Sequence, residues 1–82
     1  MTIIYTWVIK NLNADMRGYA TTAFFEMQGV DEAGKTATGS VSVCFGGEDM
    51  KPMSQWTQEA IDAYAETKRE YIEQLIAEKF VD

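Results

Sequence analysis

The chain has no histidine, one cysteine, one proline and only seven basic residues against thirteen acids. Each scarcity excludes something. Without histidine, and with Cys44 as the sole thiol, zinc and haem sites are nearly excluded. A lone cysteine forms no intramolecular disulfide, which argues against a small secreted scaffold and for a reducing compartment. As a nucleophile, Cys44 would lack a histidine base, and its neighbours Val43 and Phe45 are apolar. No apolar run approaches the roughly 20 residues needed to span a bilayer. The first residues show neither the basic start nor the small-residue cleavage site of a signal peptide. These features together predict a soluble, cytoplasmic protein.

The shortage of bases is uneven. Residues 1–47 carry four acids and three bases, a balance of −1; residues 48–82 carry nine acids and four bases, a balance of −5. A net charge of −6 repels phosphate backbones, so no direct nucleic-acid binding is expected. What is abundant is hydrophobic residue, at 46 %, an ordinary globular proportion. A chain of 82 residues makes one domain, spanning 1–82. At that size roughly 60–65 % of the unfolded surface is buried, so the core is small.

The first half reads as strands. "IIYTWVIK" (3–10) is rich in Ile, Val, Tyr and Trp, the composition of a strand. "NLNADMRG" (11–18) has the Asn, Asp and Gly of a loop. A second strand covers about 19–29 and a third about 36–45. Between them, "DEAGK" (31–35) is a hairpin signal: Asp31 suits a type I turn, and Gly34 the left-handed position after it. That turn predicts Phe25 opposite Val41, Ala23 opposite Val43 and Thr21 opposite Phe45, largely apolar against apolar. Val41, Val43 and Phe45 therefore mark the inner face. On the first strand, Tyr5, Trp7 and Ile9 are expected to join them.

"GGEDMKPM" (46–53) reads as a loop. "FGGEDM" within it superficially resembles a diguanylate cyclase signature, but the chain is about half the length of those domains. Glu48, Asp49 and Glu59 match no EF-hand spacing. A helix begins at Thr57, whose hydroxyl can cap the first turn. A stripe then recurs at three and four through Ile61, Tyr64, Ala65, Lys68, Ile72, Leu75, Ile76 and Phe80, apolar except at Lys68, whose stem can lie along apolar surface. The resulting fold class is α+β: a three-stranded antiparallel β-meander followed by a long C-terminal α-helix packed on one sheet face. Trp7, Phe25, Val41, Val43, Ile61, Leu75 and Phe80 form the expected core.

Two surfaces remain as candidates for function. The second sheet face would show Ile4, Val8, Ala20, Phe24 and Cys44 among Thr and Ser, a possible contact surface for self-association through Ile4, Val8 and Phe24. A single helix rarely supplies a sufficient core at this size, which favours the contact. The second surface is acidic. Glu59, Asp62, Glu66, Glu70 and Glu73 step by three, four, four and three along one side of the helix. Such a row can imitate a phosphate backbone and occupy a basic groove on another protein; a solvated helix face is the plainer reading. No nucleophile, positioned base, metal cluster or cofactor motif is visible, so no enzyme, cofactor or small-molecule substrate is expected.

With these elements placed, several short motifs stand out: Tyr5, Thr6, Trp7, Ile9 and Leu12; Gly39 and Val41; Pro52; Thr57, Gln58 and Ile61; and Ile72, Glu73 and Leu75. In these the chain resembles a family of small, uncharacterised proteins encoded by tailed bacteriophages. The resemblance implies phage origin and the same sheet-plus-helix layout. It implies no activity.

Overall fold

The computed structural model describes residues 2–81. Three antiparallel strands, β1 (Ile3–Ala14), β2 (Ala20–Asp31) and β3 (Thr36–Cys44), form one sheet in the order β1-β2-β3. A helix, α1 (Gln58–Glu78), lies across one face of it. The β-meander-plus-helix architecture is therefore the one the sequence predicts.

Both hairpins are closed by the same device. The Asp31 carboxylate accepts from the backbone N–H groups of Ala33 and Lys35, while Gly34 takes φ +85°. At the other end, Asp15 accepts from Arg17 and Tyr19, and Gly18 takes φ +82°. In each case an Asp satisfies the turn's donors and a glycine supplies the left-handed residue. The register set by the Asp31 turn pairs Phe25 with Val41 and Ala23 with Val43. Phe45 N–H donates to Thr21 O at 2.9 Å, completing the expected series.

The first strand departs from expectation. It runs to Ala14, so residues 11–14 extend β1 and only 15–19 turn. Val8 is an extra residue between the pairs Trp7↔Met27 and Ile9↔Glu26. This β-bulge inverts the alternation of side chains beyond it. Tyr5 and Trp7 pack against the core, but Ile9 leaves it for the outer face beside Glu26. Lys10 and Leu12 take the inner positions instead, opposite Phe25 and Ala23. A second irregularity, at Asn13 and Ala14, buries Ala20 completely, so Ala20 does not belong to the outer face.

The core is graded in size along the helix. Near its start, Phe25, Phe45, Trp56 and Tyr64 interlock; Phe45 stacks on Trp56 with centroids 5.2 Å apart and meets Tyr64 edge-on at 5.2 Å. Burial raises the Tyr64 phenol pKa, with the Asp49 charge adding to it. Near its end, Gly29, Ala37 and Gly39 leave a notch for Ile72 and Ile76. A Cβ at Gly29 would come 2.6 Å from Ile76 Cγ2, and one at Gly39 would come 3.2 Å from the Ile72 carbonyl oxygen. Glycine in a strand here permits close approach of the helix. Ile72 and Ile76 are fully buried; Leu75, expected in the core, is only half-buried on the helix flank.

Thr57 caps α1, its hydroxyl accepting from Ala60 N–H at 3.1 Å. The preceding segment is more ordered than a plain loop. Short 3₁₀ turns cover Gly47–Asp49 and Met53–Gln55, and Tyr19 and Pro52 form an isolated bridge. Ala20 N–H donates to Lys51 O and Met53 N–H to Gly18 O, at 2.9 and 2.8 Å. Among the described residues no helix is long and apolar enough to cross a membrane.

Candidate interaction surfaces

The outer sheet face is built from the even-numbered residues of β2 from Thr22 onward and of β3 and, because of the bulge, from Ile4, Thr6, Val8, Ile9, Asn11 and Asn13 of β1. Among the described residues no element covers it. Ile4 is 68 % exposed and Val8 52 %. Phe24 is half-buried between Asn11 and Ser42, its cross-strand neighbours. Ile4, Val8 and Phe24 do not form one patch. Ile4 pairs with Val30 at the Asp31 hairpin end. The row Thr6–Gln28–Thr38 separates that pair from Val8, Ile9 and Phe24. Ile9 lies on the diagonal from Phe24, within reach across the strands. Ile9 and Val30 were therefore missed as members of this surface. Cys44 is exposed at its far end. Glu26 is the one charge among the strand residues of this face.

The five carboxylates of α1 do share a flank, the one beside β1. They are not a bare row. Asp62 accepts from Lys10 Nζ at 2.7 Å and from Gln58 at 2.9 Å. Those bonds, Lys10 first, hold its pKa below the ordinary carboxylate value. Arg69 sits within the stripe and donates to Glu73 at 2.6 Å and Glu66 at 3.3 Å. Glu59 and Glu70 are exposed, with no ion pair among the described residues. The Lys10–Asp62 pair depends on the bulge, since only the inverted alternation turns Lys10 toward the helix.

The remaining bases are held as well. Lys51 lies over the Trp56 ring at 4.6 Å and Lys68 over Tyr64 at 5.7 Å. Arg17 and Lys35 lie over Tyr19 and Phe80. Lys79 Nζ donates to the Thr38 carbonyl on β3. The cations are thus drawn against the protein, and the outward charge is dominated by the acids. Among the described residues there is no enclosed pocket and no group of three or more candidate metal ligands. The chain matches no protein-family model, no curated protein and no solved structure.

Proposed function

We propose that this chain is a non-enzymatic, phage-encoded protein–protein interaction module that associates with itself in the host cytoplasm. The observation that carries this reading is the uncovered outer face, with Ile4 and Val8 largely exposed and Ile9, Phe24 and Val30 half-buried. Shape supports it. The radius of gyration is 14.6 Å, against about 12 Å for a compact domain of this length. One sheet and one helix make a thin, elongated body, and a second copy stacked on the open face would complete a sandwich. Strands of this length give roughly 600 Å² of face per copy, or about 1,200 Å² for a stacked pair, the lower end of stable interfaces. With Glu26 as the lone charge among its strand residues, the face meets little repulsion from its own copy. Phage origin rests on the motif resemblance described above.

Sedimentation velocity across micromolar concentrations tests the reading. The expected result is a species heavier than the 9.2 kDa chain that a Val8→Glu/Phe24→Ser variant shifts to a smaller species. A strict monomer at every concentration would reject it. The alternative, an acidic inhibitor or DNA mimic using Glu59, Asp62, Glu66, Glu70 and Glu73, starts from a row in which three carboxylates are already paired. It predicts a host partner that is lost on Glu66→Lys/Glu70→Lys substitution.

A further inference from the structure

We propose that the free edge of β3 is a strand-pairing surface whose partner is the β3 edge of a second copy, joined antiparallel about a two-fold axis at Ser40. This rests on the self-association reading and adds a second surface to it, distinct from the outer face.

The backbone pattern identifies the free groups. Lys35 O accepts from Asp31 N–H at 3.0 Å and Phe45 N–H donates to Thr21 O at 2.9 Å, so odd-numbered residues turn toward β2. Antiparallel alternation then directs the N–H and C=O groups of Thr36, Thr38, Ser40, Ser42 and Cys44 outward. The Lys79 bond to Thr38 O, made from outside the sheet, agrees with this.

Sheet edges are normally blunted by charge, proline or a bulge. The other edge strand, β1, has its bulge at Val8 and carries Lys10. β3 has none of the three: "TATGSVSVC" is uncharged and proline-free, and its pairing with β2 runs from Thr22↔Cys44 to Val30↔Thr36 without a break. Its one guard is the Lys79 ammonium.

A second copy fits this edge by symmetry. Ser40 is the middle of the nine residues. Centring the axis there sets Thr36 opposite Cys44 and Thr38 opposite Ser42 of the second copy, small polar groups throughout. On the helix side it sets Ala37 opposite Val43 and Gly39 opposite Val41, small against large. The two-fold axis keeps both helices on one face of a six-stranded sheet, flank to flank. The flank beside β3 carries Lys68, Tyr71, Leu75 and Lys79, with Tyr71 54 % exposed and Glu78 as its acid. The five-carboxylate stripe lies on the opposite flank, away from the axis.

The test uses disulfide trapping in a Cys44→Ser background. Paired strands place directly opposed Cα atoms about 5.5 Å apart, within disulfide reach. Ser40→Cys should therefore cross-link to its own copy under mild oxidation, at least tenfold faster than Thr38→Cys. The latter would stand four residues, roughly 14 Å, from its counterpart. Adding Ser42→Lys should abolish the cross-link with the circular dichroism unchanged, and adding Val8→Glu should not. Equal rates at positions 38 and 40 would mean random collision and overturn the proposal. Slow cross-linking at both, in a protein that sediments as an oligomer, would overturn the edge pairing and leave self-association standing. Slow cross-linking in a strict monomer would remove both.

Discussion

The two faces of this sheet come from the same three strands and have been treated oppositely. The inner face is roofed, filled with aromatic rings at one end and hollowed by Gly29 and Gly39 at the other, so that one helix can seat along it. The outer face carries Ile and Val beside Thr, Ser and Gln, and no described residue lies over it. Hydrophobic residues alone do not distinguish the two. What distinguishes them is complementarity of shape: the inner residues vary in size to match the helix, and the outer ones match no element among the described residues.

Substitutions should separate the faces. Ile76→Ala empties a fully buried site and should cost about 2–5 kcal/mol in urea unfolding. Gly29→Ala inserts a methyl 2.6 Å from Ile76 Cγ2 and should cost about 1–3 kcal/mol, although alanine is the smaller perturbation on paper. Val8→Thr, on the outer face, should change monomer stability by less than about 0.5 kcal/mol while weakening association. If Val8→Thr proves as damaging to the monomer as Gly29→Ala, the distinction between faces is lost.

The smallest expected effect is acid sensitivity. Asp62, bonded to Lys10, and Asp15, bonded to Arg17, both have pKa values lowered in the folded chain. Their contribution is complete above the ordinary carboxylate value, about pH 4, and is lost as pH falls through the lower folded values. Lys10→Met should make the loss of stability below about pH 4 shallower. An unchanged acid limb would deny the Lys10–Asp62 pair a role in tying the helix to β1.

Much of the inner face was legible in the residues. The alternation at Val41, Val43 and Phe45, the Asp31–Gly34 turn and the Thr57 cap agree on register and on the helix start, and the structure keeps all three. The bulge at Val8 was not legible, because β1 is apolar on both sides and a slip of one residue leaves no mark in the pattern. Its consequences were hidden with it: Ile9 outside, Leu12 inside, and Lys10 turned to Asp62. The Asp15–Gly18 turn repeats the spacing of Asp31–Gly34, so that signal was present. Gly29 and Gly39 carry no side chain for a hydropathy pattern to register, yet they set how closely the helix lies. On the outer face, Ile4 and Val8 were readable as exposed. The division by Thr6, Gln28 and Thr38 needed the register.

The most direct test is methyl NMR with a soluble paramagnetic agent, recorded at low and high protein concentration. Ile72 and Ile76 methyl groups should stay protected throughout. Those of Ile4 and Val8 should broaden in dilute solution and become protected as the protein is concentrated. Protection of Ile4 and Val8 in the dilute monomer, or broadening of Ile76, would contradict the distinction between the faces.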